Sequence, residues 1–136
     1  MAPRFAQRFK KIQALMADKE LDLLLVVNRE NLIYFTGLTQ IECLAVLIPR
    51  DDEPCAVTLW LDAEYVKQES GLTTYGYIFP QESLGSKLVE RIKAYGFNSP
   101  RIGFERYFVD YAVYDALRQA FPERNFIGAA DLFYRV

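Results

Sequence analysis

The stretch from Leu21 to Gly37, LDLLLVVNRENLIYFTG, limits what this chain can fold into more than any other. Asp22-Leu23-Leu24-Leu25-Val26-Val27 is a short, nearly unbroken apolar run. Such a run fits a strand buried on both faces, as at the centre of a sheet covered by helices. Asn28 breaks the run, and Asn31 is expected to cap a short helix by accepting a backbone N–H. That helix would carry Leu32, Ile33, Tyr34 and Phe35, and Gly37 can stop it in the left-handed conformation. The turn between strand and helix then lies at the carboxyl end of a central strand, where open α/β sheets place their sites.

The remaining chain supplies the partners such a strand needs. Phe5, Phe9, Ile12 and Met16 recur at helical spacing among Arg4, Arg8, Lys10 and Lys11, which predicts an amphipathic helix packed on the sheet. A basic, acid-poor start could also serve as a mitochondrial targeting segment, but it leads straight into the first strand. Cys43 to Ile48 and Cys55 to Leu61 are two further apolar runs around the turn Pro49-Arg50-Asp51-Asp52-Glu53-Pro54. They read as an antiparallel hairpin. Asp62 is placed to cap a helix that Gly71 ends, and Thr73 to Phe79 reads as a fourth strand. Ser83 caps a helix with Leu84, Leu88 and Ile92 on one face; a fifth strand runs from Arg101 to Glu105. Asp110 opens a helix bearing Val113, Leu117 and Phe121, and Asn125 to Gly128 is a sixth short strand or a tail. Helices alternating with strands after a hairpin give an α/β three-layer sandwich, α/β/α, around a mixed sheet of five or six strands.

Composition narrows the chemistry. At 136 residues the chain is one domain's worth, and its net charge of −2 comes with no basic stripe, which disfavours nucleic acid. No apolar run approaches the 18 or more residues of a membrane-spanning helix. There is no histidine, so the commonest general base and the commonest metal ligand are both missing. No G-x-S-x-G, G-x-G-x-x-G or G-x-x-x-x-G-K-[ST] motif is present, and Cys43 and Cys55 have no histidine to activate them. Both cysteines are expected to be buried free thiols in a reducing cytosol, because a hairpin turning near Asp51-Asp52 puts Cys55 opposite roughly Ile48. Asp51-Asp52-Glu53 reads as a solvated turn rather than a cation clip. Asp22 sits at the wrong end of its strand for a two-metal nuclease. Aromatic residues are plentiful, nine Tyr, ten Phe and one Trp. Most should be core, with Trp60 and Tyr134 to Val136 the candidates for a partner-facing surface.

Asn28-Arg29-Glu30-Asn31-Leu32-Ile33-Tyr34-Phe35-Thr36-Gly37 resembles the N-x-x-N-I-x-Y-L-T-G-F signature of the creatinase/prolidase amino-terminal domain. It departs at Leu32, Phe35 and Leu38. Ile102-Gly103-Phe104-Glu105 is similar to that family's I-G-V/F-E strand, and Leu132 to Val136 to the opening of its linker helix, with Arg135 at the arginine position. The resemblance runs from about Arg8 to Arg135. It implies a ribonuclease-H-like sandwich, with residues 1–136 a single amino-terminal domain and the pita-bread catalytic domain absent. The apolar end at Leu132-Phe133-Tyr134-Arg135-Val136 fits an interrupted helix. The resemblance further implies the non-catalytic part of a cytoplasmic, metal-dependent Xaa-Pro peptidase, either dipeptidase or aminopeptidase. That enzyme would hold two divalent ions, Mn, Co or Zn, in its catalytic domain through two aspartates, one histidine and two glutamates; no cofactor is expected in this chain. Its partners would be its own catalytic domain and a second subunit in a homodimer, and its substrates short proline-containing peptides. Carried over residue by residue, the segment facing pocket or partner is Tyr34, Phe35, Thr36 and Gly37 with the loop Leu38, Thr39, Gln40, Ile41 and Glu42. A stand-alone module binding a small ligand or protein in the Asn28–Glu42 crevice is the alternative, as is the equivalent domain of a creatinase-type amidinohydrolase.

Overall fold

The computed structural model describes residues 2–105 and 110–136. Among them, six strands form one sheet in the order β4-β3-β2-β1-β5-β6. The strands are β1 (Leu23–Val26), β2 (Ala45–Pro49), β3 (Cys55–Leu59), β4 (Thr73–Tyr77), β5 (Ile102–Phe104) and β6 (Phe126–Gly128). β1 pairs antiparallel with β2 and parallel with β5, so the sheet is mixed, and the β2–β3 pair is antiparallel as the hairpin reading requires. β4 and β6 each add on in parallel at the two edges.

All four residues of β1 are buried, because helices cover both faces. Successive strand side chains point to opposite faces, and β1 divides accordingly. Leu24 and Val26 join Phe9, Ile12, Met16, Phe35, Val66 and Leu132, contributed by α1 (Ala6–Asp18), α2 (Arg29–Thr36), α3 (Ala63–Ser70) and α6 (Ala130–Arg135). Leu23 and Leu25 join Leu88, Ile92, Val113 and Leu117 from α4 (Leu84–Ala94) and α5 (Tyr111–Ala120). The three layers expected from the sequence are therefore present. Close approach shapes β5: a Cβ on Gly103 would stand 2.9 Å from the Cδ1 atoms of both Leu21 and Leu24.

Local capping departs from the sequence reading in two places. Asn28, not Asn31, caps α2: its Oδ1 accepts from the Glu30 N–H at 2.9 Å. The helix starts at Arg29 because the first free donors follow directly on the strand end, leaving Asn31 inside the helix. Asp62 makes no side-chain cap, because the 3₁₀ turn Trp60–Asp62 runs straight into α3 and the Ala63 N–H donates to the Trp60 carbonyl. Ser83 does cap α4, in a reciprocal pair with Ser86.

The cysteines also separate. β2 begins at Ala45, which leaves Cys43 exposed, while Cys55 is buried opposite Leu47. The expectation that both thiols are buried is corrected for Cys43. β4 stops at Tyr77 rather than Phe79, and Ile78 and Phe79 stand largely in solvent. Among the described residues, no helix is long and apolar enough to cross a membrane.

Candidate functional site: the α2 turn and the loop that follows it

At the carboxyl end of β1 the chain turns at Val27 and Asn28 and enters α2. Gly37 ends the helix at φ +77°, the left-handed conformation expected of it, with its N–H donating to the Ile33 carbonyl. The Thr36 hydroxyl donates to the Leu32 carbonyl at 2.6 Å and accepts from the Leu38 N–H at 3.1 Å, so it fastens the helix end from within. Phe35 is fully buried, with its ring 5.0 Å from Phe9, 5.2 Å from Tyr34 and 6.5 Å from Phe133. Half-buried Tyr34 carries the Arg8 guanidinium 4.2 Å above its ring, and its hydroxyl donates to the Val136 carbonyl at 3.3 Å.

The structure thus splits the nine residues singled out from the sequence. Phe35, Thr36 and Leu38 point into the core. Gly37 is a backbone device, and Tyr34 packs against α1 and α6. Thr39, Gln40 and Glu42 are exposed, and Ile41 is partly covered. These four, with exposed Cys43, form the free part of the segment.

The loop borders two hollows. One, of about 240 Å³, lies between Val27 and Leu32 on one side and Leu38, Ile41 and Leu44 on the other, with Arg29 and Glu42 among its lining residues. The second, of about 300 Å³, shares Val27, Glu42 and Leu44 and continues to Cys43, Tyr77 and Asp110. Burial chiefly, with the nearby Cys43 thiol and Asp62, pushes the Tyr77 phenol up to about 12. A larger hollow of about 540 Å³ lies at the other end of the sheet, among Phe9, Gln13, Pro54 and Thr73.

Glu105, which follows β5 directly, is a site residue whose role the sequence reading did not see. It is 2% exposed. Its Oε2 accepts from the backbone N–H groups of Val27 at 2.8 Å and Asn28 at 2.7 Å, and its Oε1 accepts from Asn31 Nδ2 at 2.7 Å. Burial pushes this carboxyl up from the ordinary range, against the pull of the three donors. The sequence signals for it were an acid at the end of an apolar strand and its place at the end of the Ile102-Gly103-Phe104-Glu105 stretch, and neither points to its partners.

Asp22 and the 51–53 cluster make structural contacts away from this turn. Asp22 accepts from the Arg101 N–H at 2.8 Å at the opposite end of β1. In the 51–53 cluster, Asp51 pairs with Arg50 at 2.9 Å and Asp52 accepts from the Glu53 N–H. Among the described residues no three Cys, Asp or Glu side chains group as metal ligands. With no histidine in the sequence, the two-aspartate, one-histidine, two-glutamate set does not fit this chain.

The Creatinase/Prolidase N-terminal domain profile matches residues 8–136. No curated protein sequence matches the chain. Among solved structures, the N-terminal domain of Xaa-Pro dipeptidase from Lactobacillus brevis is 20% identical, with a TM-score of 0.82 over 95% of this chain and 99% of that one. The creatinase/prolidase N-terminal domain of an X-Pro dipeptidase from Streptococcus pyogenes is 15% identical, at TM-score 0.79 over 96% and 98%. The Xaa-Pro dipeptidase from Bacillus anthracis, 18% identical at TM-score 0.78, matches 95% of this chain but only 34% of its own. At these identities the likeness is one of fold.

Proposed function

This chain belongs to the creatinase/prolidase N-terminal domain family, and on that footing we propose that it is the non-catalytic amino-terminal part of a metal-dependent Xaa-Pro peptidase. The observation that carries the reading is the profile match over residues 8–136, on a fold that the structural likenesses share from end to end. In this reading the chemistry belongs to a second domain, which would hold two divalent ions (Mn, Co or Zn). Those ions would activate a water for attack on the bond before proline. The chain's own contribution is placement. The core-anchored α2 presents Thr39, Gln40, Ile41 and Glu42 as a free loop, which would close over the substrate pocket of the neighbouring subunit in a homodimer and restrict it to short proline-containing peptides. A second reading is a stand-alone binding module, favoured by the hollow of about 240 Å³ beside Arg29 and Glu42.

Sequencing the source gene past the codon for Val136 separates the two. The peptidase reading expects an open frame continuing into a domain with two aspartates, one histidine and two glutamates in ligand positions. A stop codon directly after Val136 removes that reading, and a ligand screen on the hollow becomes the next step.

A further inference from the structure

β1 and β5 are adjacent and parallel. The helix after β1 is α2, which packs on one face of the sheet, and the next helix after β5 is α5, which packs on the other. Neighbouring parallel strands whose connections part to opposite faces leave a crevice at their carboxyl ends, and open α/β sheets bind ligands there. The backbone N–H groups of Val27 and Asn28 point into this crevice, and a pair of adjacent N–H groups of this kind is an anion cradle. Here the anion is already present, as the Glu105 carboxylate from the end of β5.

We infer that Glu105 is a positioning residue: it fills this crevice as a ligand built into the chain, so that the crevice takes no external anion and the β1–α2 turn is held rigid. Three features support the assignment. The carboxylate is buried, both its oxygens accept hydrogen bonds, and all three donors come from one short segment, residues 27–31. Among the described residues, the groups facing it are the two backbone N–H groups and the Asn31 amide. This is how a bound carboxylate is held, rather than how a salt bridge is built. The turn it grips lines the 240 Å³ hollow through Val27 and Arg29 and leads through α2 to the loop at Thr39. That the loop is thereby aimed at a peptide pocket rests on the reading proposed above; the filling of the crevice does not.

Both claims about the crevice can be tested on the 136-residue chain alone. In Glu105→Ala the amides of Val27 and Asn28 lose their acceptor. They should exchange with solvent about tenfold faster or more, while Leu25 and Leu47 in the sheet report global opening. Acetate or formate, small carboxylates free to enter the vacated crevice, should restore the slow exchange, and chloride at equal ionic strength should not. Unchanged protection at Val27 and Asn28, or equal rescue by chloride, overturns the proposal.

Should Glu105→Ala fail to fold, the unmodified chain carries the test. With its crevice already filled, titration with acetate should leave the amide resonances of Val27 and Asn28 where they are. A saturable shift of those two amides on adding acetate overturns the proposal. A failure here would leave the peptidase reading standing, since that is decided by the reading frame beyond Val136.

Discussion

From Leu32 to Leu38 the chain sends Leu32, Phe35, Thr36 and Leu38 into the core, whereas from Thr39 to Cys43 only Ile41 is even partly covered. The two segments adjoin, one inside the signature that ends at Leu38 and the other directly after it, and they answer to different physics. The first is fixed by apolar burial, an aromatic cluster and a hydroxyl bonded back into its own helix. Among the described residues, no side chain from Thr39 to Glu42 hydrogen-bonds to the rest of the fold, so the residue types there are free to be set by whatever they meet outside. The nine residues from Tyr34 to Glu42 therefore mix residues that build the platform with residues that stand on it.

Substitutions should separate the two. Phe35→Ala removes a ring at the centre of the Phe9, Tyr34 and Phe133 contacts, and should cost about 3–5 kcal/mol in denaturant unfolding. A loss under 1 kcal/mol would mean that α2 is not anchored through this ring. Gly37→Ala places a side chain at φ +77° with its Cβ 2.6 Å from Arg4 Nη1. The left-handed backbone should cost about 1–2 kcal/mol, and the flexible arginine can move aside. An unchanged denaturation midpoint would show that the helix end tolerates another conformation.

The pH dependence gives a subtler difference. Glu105's carboxyl is raised by burial in the folded state, so the native chain keeps its proton to higher pH than the unfolded chain does. Its contribution to stability is then full below the ordinary carboxylate range and is lost as pH rises through the folded value. The protonated form still has a carbonyl oxygen that can accept from Val27 and Asn28. Relative to Glu105→Gln, which does not titrate, the unmodified chain should therefore gain stability on mild acidification from neutral pH. The opposite slope would mean that the three donors outweigh burial. At the small end, Thr39→Ala and Gln40→Ala should each change stability by no more than about 0.5 kcal/mol. In a two-domain peptidase they should instead alter the preferred peptide length, and a large stability loss would place the loop with the platform.

Much of the platform was legible in the sequence. The Leu23–Val26 run, the hairpin around residues 50–54 and the glycine at position 37 each follow from local chemistry, and the structure has all three. The helix cap was legible only as a residue type. Asn28 and Asn31 are equally good acceptors, and the choice between them depends on which N–H groups the strand leaves free. Cys43 looked like the start of a strand because the apolar run begins there, but pairing begins at Ala45. Glu105 was the least legible, since its two backbone donors lie 78 and 77 residues away in sequence and no periodicity joins them. The loop's exposure is visible only in three dimensions, because Thr39, Gln40 and Glu42 have the polarity of any surface turn.

The central claim is that this chain places and closes but does not catalyse. The most direct measurement incubates the purified 136-residue chain with an Xaa-Pro dipeptide, with manganese or cobalt added, and follows release of proline. The account expects no turnover above the metal-only control. Metal-dependent hydrolysis by the pure chain would contradict it.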